Sequence, residues 1–167
     1  MDTTRYQIRR AGPEDTTVLL ELVDALADYE KLPRPDEEAR KRLTFDGFLR
    51  TPPRFEVYLV MGGGFAAGYA IVLETYSSFL AKPTLYIEDL FIRPEMRQQG
   101  AGHALLRFLA AEAIQRECGR MEWVCLDWNE PAIRFYEKWG AEHLVEWRMY
   151  RMNEDVFRSI AETTGED

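Results

Sequence analysis

The chain has 167 residues, of which 46% are hydrophobic and 30% charged, and these values suit one globular domain over residues 1–167. Its net charge of -8 disfavours nucleic acid as a partner, because phosphate binding needs basic surface, and is compatible with a cationic substrate. No apolar run is long enough to cross a membrane, and the N-terminus lacks the apolar stretch of a secretion signal, so we expect a cytoplasmic protein.

The cysteines and histidines do not form a pattern of metal ligands. Cys118 and Cys125 fall on different predicted elements and lack C-x-x-C spacing, while His103 and His143 have no partner at metal-ligand or catalytic-triad spacing. We therefore interpret both thiols as free, both histidines as structural or exposed, and predict no metal site.

The first half of the chain predicts a strand, two helices and a three-stranded meander. Pro13, Glu14 and Asp15 are typical of a helix start, and apolar residues continue at helical spacing as far as Tyr29. Gly62-Gly63-Gly64 separates two strand-like runs and predicts the turn between them. The predicted elements are a strand at about 5–10, helices at about 13–30 and 36–43, and strands at 55–61, 65–75 and 85–93.

The second half predicts two helices, two strands and a short C-terminal helix. An apolar stripe through Leu105 and Leu109 ends near Gly119, and Pro131 and Gly140 bracket another helix. Residues 121–127 have the composition of a fully buried strand, residues 143–152 return as a strand, and a helix follows from Glu154. This order predicts an α/β protein with a mixed sheet covered by helices.

The segment RQQGAG, Arg97–Gly102, lies between the strand at 85–93 and the helix that follows. Its two glycines allow positive φ and close backbone approach, and the helix start offers N–H groups without intrahelical acceptors. Arg97 adds a planar charge suited to phosphate oxygens. The segment therefore predicts a pyrophosphate site, although a glycine turn before a helix is the structural alternative.

Three further segments resemble one family of enzymes. They are LYIEDLF at 85–91, DWNEP at 127–131 followed by Phe135-Tyr136, and ADYE at 27–30. Together with RQQGAG and the order of elements, they resemble the GNAT superfamily of N-acetyltransferases, and most closely its spermidine/spermine and diamine/thialysine members. The resemblance implies a GNAT fold, with a mixed, mostly antiparallel, twisted sheet of about six or seven strands, about four helices, and strands that splay at the cofactor site.

The resemblance also implies which residues bind acetyl-CoA. The loop would hold the pyrophosphate through Arg97, Gln98, Gln99, Gly100, Ala101 and Gly102. The backbone of Leu90, Phe91 and Ile92 would pair with the pantetheine arm like an added strand. Asn129 and Tyr136 would contact the same cofactor, although Asn129 is equally suited to organising the turn before Pro131.

Two residues carry the chemistry that the resemblance implies. Glu88 would act as the base, through water, and Tyr136 would protonate the departing thiolate. An ammonium group has no lone pair, so an amine acetyltransferase must remove a proton. The residues alone leave alternatives: Tyr136 sits at core-like helical spacing, and Glu88 with Asp89 could pair with structural cations.

The substrate is expected to be a small amine, bound by Tyr29, Glu30, Ser77, Phe79, Glu88 and Asp89. Ser77 and Phe79 stand where the subfamily has an acid and a tryptophan, which favours a shorter or differently charged amine over a polyamine. Acetylation of a protein lysine or N-terminus is the alternative reaction, and a CoA-binding regulatory module is the alternative class. No nucleic acid or membrane partner is expected, and the resemblance implies a homodimer.

Overall fold

The computed structural model describes residues 5–163 as two compact units that divide between Val124 and Cys125. The first unit contains a five-stranded sheet in the order β1-β2-β3-β4-β5. Its strands are β1 (Gln7–Arg10), β2 (Glu56–Gly62), β3 (Phe65–Ser77), β4 (Lys82–Ile92) and β5 (Arg120–Trp123). Its helices are α1 (Thr16–Glu30), α2 (Glu37–Thr44) and α3 (Ala101–Gln115), with shorter helical turns at Pro13–Asp15, Phe45–Leu49 and Pro94–Met96.

The sheet is mixed, as the sequence predicts. Strands β1 to β4 run antiparallel to their neighbours, and β5 runs parallel to β4 because α3 forms the crossover between them. Two hydrophobic cores lie on the two faces, one with the apolar stripe of α3 and the other with that of α1. The predicted fold class is therefore confirmed.

Strand β4 extends beyond its pairing with β5. The parallel ladder runs from Thr84 opposite Arg120 to Ile87 opposite Trp123, whereas β4 continues to Ile92. Within residues 5–163, β5 ends at Trp123, four residues short of the predicted strand end. Its residues are half-buried or exposed, whereas the sequence predicts a fully buried strand. The two strands therefore part after Ile87.

A β-bulge interrupts β4 at Glu88. Asp89 lies opposite Ile71 and Ile87 lies opposite Val72, so Glu88 is the extra residue. Regular alternation would place Asp89 on the same face as Ile87, which packs in the core of α3. The bulge shifts the alternation, and the residues after it change faces.

The second unit contains α4 (Glu130–Lys138) and α5 (Glu154–Glu162), both close to their predicted positions. The predicted strand at 143–152 is wrong: the structure describes this segment and it pairs with no strand. Its aromatic side chains stay exposed, with Trp147 at 76% and Tyr150 at 85%. Strand propensity needs a neighbouring strand to be realised, so the sheet has five strands rather than six or seven.

Within the described residues, no helix is both long and apolar enough to span a bilayer. Within the same residues, neither Cys118 nor Cys125 forms a disulfide.

Candidate active site

Carboxylates gather where β4 bends, on the face of the sheet that α1 covers. The Tyr69 hydroxyl of β3 donates to Asp89 Oδ2 at 2.9 Å. Burial, with smaller contributions from the charges of Glu88 and Glu30, raises the pKa of Asp89 to about 6, while the Tyr69 hydrogen bond opposes the rise. Burial also raises the pKa of Glu30. The ionised forms of Asp89 and Glu30 are therefore disfavoured mainly by burial, and a bound cation would stabilise them.

Aromatic rings line the same face. Phe91 lies between Tyr29 of α1 and Tyr69, with 6.4 Å between ring centroids in each pair. Carboxylates beside aromatic faces are typical of sites for ammonium groups, because both attract a cation. The structure thus brings four of the predicted substrate residues together: Tyr29, Glu30, Glu88 and Asp89.

Two other predicted substrate residues lie elsewhere. Ser77 is buried, and its Oγ accepts a hydrogen bond from the Leu80 amide at 3.2 Å. Phe79 is 99% exposed at the tip of the β3–β4 hairpin. Ser77 pairs with Lys82, six residues along β3 from the Ile71–Asp89 pair, so the tip is about 20 Å from the cluster. A contact of Ser77 or Phe79 with substrate stays a prediction.

The glycine loop has the backbone form that the sequence predicts. Gln98 and Gly100 both have positive φ, of 58° and 94°, and α3 begins at the next residue, Ala101. The Ala104 amide is bonded to the Gly100 carbonyl at 2.9 Å, so the amides before it belong to the first helical turn and lack i−4 partners. This alternation of φ turns successive N–H groups toward one side, as in an anion-binding nest.

Side chains brace this loop. Arg97 donates through Nε to the Ile92 carbonyl at 2.9 Å, and its guanidinium carbon lies 4.2 Å from the centre of the Tyr29 ring. Gln99 donates to the Glu95 carbonyl and accepts from Arg5, both at 2.8 Å. Arg97 therefore connects the loop to the end of β4 and to α1, and its predicted contact with phosphate stays a prediction.

Asn129 and Tyr136 lie in the second unit. The Asn129 carbonyl accepts hydrogen bonds from the Ala132 and Ile133 amides at 3.0 Å each, so its backbone starts α4. Tyr136 is half-buried in α4 with its ring centre 5.4 Å from that of Phe135. Burial and the Cys125 thiol raise the pKa of the Tyr136 phenol, which keeps its proton at neutral pH.

Sequence reasoning missed Tyr69. It lies in the apolar run of β3, is fully buried, and reads as an ordinary core residue. Its hydroxyl partner is 20 residues away in the chain, so no local pattern indicates the hydrogen bond. The only available signal is that a buried tyrosine hydroxyl needs a partner.

Among residues 5–163, no strand pairs with β4 beyond Ile87 on the side of β5. This edge and the loop after it fit two parts of one ligand. An open strand edge can pair with an extended, amide-bearing arm, and a nest at a helix start can hold a pyrophosphate. Coenzyme A carries both groups. Leu90 to Ile92 would hold its arm and Gln98 to Gly102 its pyrophosphate. The fold and these surfaces therefore define an acyl-CoA-dependent transferase.

Sequence comparison identifies the family. The model of the Acetyltransferase (GNAT) family matches residues 19–141. Thialysine N-epsilon-acetyltransferase of Bos taurus is 31% identical over 164 residues, covering 92% of this chain and 96% of the bovine protein. The chain belongs to the GNAT family and is an acetyl-CoA-dependent N-acetyltransferase.

Further relatives are consistent with this assignment. L-ornithine N5-acetyltransferase of Arabidopsis thaliana is 44% identical over 94 residues, which are 56% of this chain and 41% of the plant protein, so the match spans less than half of that relative. A Vibrio cholerae integron cassette protein superposes with a TM-score of 0.81 at 22% identity, over 95% of this chain and 99% of that one. An aminoglycoside acetyltransferase from a soil metagenome gives a TM-score of 0.71 at 18% identity, over 90% and 98% of the two chains. These two structures support the fold alone.

Proposed function

We propose that the enzyme acetylates a primary amine of a small cationic substrate, such as a diamine, a polyamine or a thialysine-like amino acid. The observation that carries this proposal is the cluster of Glu30, Glu88 and Asp89 beside the Tyr29 and Phe91 rings. Burial, and to a smaller extent the charges of Glu88 and Glu30, make the ionised form of Asp89 unfavourable, and a bound ammonium group would stabilise it. The relatives named for acetylating thialysine and ornithine support the same class, since both substrates carry an amine on a flexible chain.

The proposed catalytic roles are those that the family resemblance implies for the matching residues. Asp89 would hold the ammonium, while the more exposed Glu88 would take its proton through water to the bulk solvent. The freed amine nitrogen attacks the acetyl carbon, the N–C bond forms and the C–S bond breaks. Tyr136 would give its proton to the departing sulfur, and the second proton lost by the amine nitrogen would restore the phenol through solvent. The raised pKa of the phenol keeps its proton in place until the transfer.

The reaction is proposed to be a direct attack within a ternary complex. The first unit supplies both the cofactor-binding edge of β4 and, one residue before it, the carboxylate Asp89. A common strand for donor and acceptor favours simultaneous binding. Intersecting lines in initial-velocity plots are expected, whereas parallel lines would indicate a covalent acetyl-enzyme.

Thiol release from acetyl-CoA tests the proposal, with thialysine, ornithine, diamines, polyamines and lysine peptides as acceptors. We expect at least one small amine to be acetylated with a higher kcat/KM than any peptide. A preference for peptides would support protein acetylation instead, and CoA binding without transfer to any acceptor would support a regulatory module. Asp89→Asn is the matched variant, and it should raise the amine KM more than the acetyl-CoA KM.

We also propose that the enzyme is a homodimer. The support is the exposed aromatic and apolar segment at 143–152, because large exposed apolar patches commonly mark interfaces. Sedimentation equilibrium tests this, and a mass of 19.5 kDa in solution would contradict it.

A further inference from the structure

The ring of Tyr69 packs in the hydrophobic core, but its hydroxyl is a polar group within that core. It belongs to β3, has no exposed surface, and packs with Leu19, Leu22 and Phe91 in the core under α1. Its hydroxyl reaches Asp89 Oδ2 at 2.9 Å. A phenylalanine would fill the same apolar volume, so packing alone does not account for the hydroxyl.

The bulge at Glu88 explains why Asp89 meets this hydroxyl. With regular alternation, Asp89 would lie with Ile87 in the core of α3, away from Tyr69. The extra residue moves Asp89 to the other face of the sheet. The cross-strand partner of Asp89 is Ile71, and Tyr69 lies two residues before Ile71 on β3, on the same face. Bulge and phenol together determine where this carboxylate points.

Charged and titratable groups from four parts of the chain lie near Asp89 or near the aromatic rings beside it. Glu30 comes from the end of α1, and Glu88 is its neighbour on β4; both disfavour a second negative charge. Arg97, from the loop after β4, lies against the Tyr29 and Phe91 rings and donates to the Ile92 carbonyl. Tyr69, from β3, is the neighbour whose hydrogen bond favours the ionised form of Asp89.

We propose that Tyr69 is a positioning residue for the acceptor amine: its hydroxyl fixes Asp89 Oδ2 and directs Asp89 Oδ1 toward the substrate ammonium. This inference rests on the proposed function, and it adds a residue that acts on the substrate only through Asp89. Tyr69 is therefore a determinant of amine binding and of the pH range in which the amine binds.

The sign of the pH effect follows from the hydrogen bond. Asp89 attracts an ammonium only when ionised, so amine binding weakens as the pH falls through about 6. Removing the Tyr69 hydroxyl removes a donor that favours the ionised form, so the pKa of Asp89 rises further. The acid limb of kcat/KM for the amine then moves to higher pH.

Tyr69→Phe tests this, with Tyr58→Phe as the matched control. Tyr58 is a buried tyrosine of the neighbouring strand β2, and its hydroxyl bonds to Glu56 on the opposite face of the sheet. In Tyr69→Phe we expect the acid limb of kcat/KM for the amine to move up by about one pH unit, which lowers kcat/KM about tenfold at pH 5 and about twofold at pH 7. The acetyl-CoA KM should stay the same. In Tyr58→Phe, the acid limb of kcat/KM for the amine should lie at the same pH as in the wild type.

The Asp89→Asn background separates positioning from a loss of fold. Adding Tyr69→Phe to Asp89→Asn should leave the amine KM unchanged, because the carboxylate on which Tyr69 acts is gone. A tenfold loss at pH 5 in both backgrounds would overturn the proposal, and so would a Tyr69→Phe enzyme with the wild-type acid limb.

An NMR titration of the Asp89 carboxyl carbon gives a result that does not depend on turnover. A higher midpoint in Tyr69→Phe than in wild type and Tyr58→Phe is expected, and an unchanged midpoint overturns the proposal. If wild type acetylates no amine, the proposed function fails, while this titration still decides whether Tyr69 controls Asp89.

Discussion

At the scale of single residues, two groups of the proposed mechanism have pKa values that depart from normal. Asp89 titrates at about 6 because it is buried beside other acids, while the Tyr136 phenol holds its proton more tightly because it is buried. The first becomes ionised just below neutral pH, and the second remains a proton donor there. In the proposed mechanism, ionised Asp89 would hold the substrate ammonium and protonated Tyr136 would supply the proton for the departing sulfur.

Tyr136→Phe should lower kcat by about a hundredfold, because it removes the proton donor for the leaving thiolate and keeps the ring that packs on Phe135. The Kd for CoA, measured by calorimetry, should change little. Tyr150→Phe, an exposed tyrosine of the same unit, is the control and should retain full turnover. Wild-type kcat in Tyr136→Phe would remove Tyr136 from the mechanism.

At the scale of elements, the end of β4 is held in place by a glycine on β3. Gly68 pairs with Ile92, and a Cβ added there would lie 2.2 Å from the Phe91 carbonyl oxygen and 3.0 Å from Ile92 Cα. Both neighbours are backbone, which gives way only if the strand moves. Gly68 therefore sets the position of the edge that is proposed to bind the pantetheine arm.

Gly68→Ala is expected to displace β4 at Phe91 and Ile92, to lower stability by roughly 1–3 kcal/mol, and to raise the Kd for CoA about tenfold. Gly64→Ala is the matched control. Gly64 lies in the β2–β3 turn with a φ of 86° and open space around it, so alanine there strains the backbone without touching β4. Equal CoA affinity in the two variants would contradict the role of Gly68.

Local sequence patterns predicted most helices and strands. They failed where the structure depends on pairing with a strand that is distant in the sequence. Helix α1 and strand β3 followed from periodicity and turn glycines, because those signals depend on neighbouring residues. The segment 143–152 has strand composition but no partner strand, and the bulge at Glu88 depends on register across two strands. The contact of Tyr69 with Asp89 follows from that register, so it could not be predicted from local sequence patterns either.

At the scale of the whole molecule, two aspartates make stability depend on pH in opposite directions. Asp15 is buried and accepts hydrogen bonds from both terminal nitrogens of Arg9 and from the Gly12 amide, which hold the pKa of Asp15 below its usual range. The stability that Asp15 contributes is present above its unfolded pKa of about 3.9 and is lost as the pH falls below it. The pKa of Asp89 is raised instead, so ionised Asp89 costs stability above pH 6, and that cost fades as the pH falls toward 4.

The two variants should therefore change the melting temperature in opposite directions at neutral pH, and both changes should fade at acid pH. Asp89→Asn should raise stability by about 2 kcal/mol above pH 7 and by little near pH 4, since it removes a buried charge and keeps an acceptor for Tyr69. Asp15→Asn should lower stability by about 2 kcal/mol at pH 7, with the deficit shrinking below pH 4. Calorimetric unfolding from pH 2 to pH 8 measures both differences. An Asp89→Asn protein that is less stable than wild type at pH 8 would show that the carboxylate supports the fold, whereas the expected gain would show that the enzyme maintains this charge for its substrate at the expense of stability.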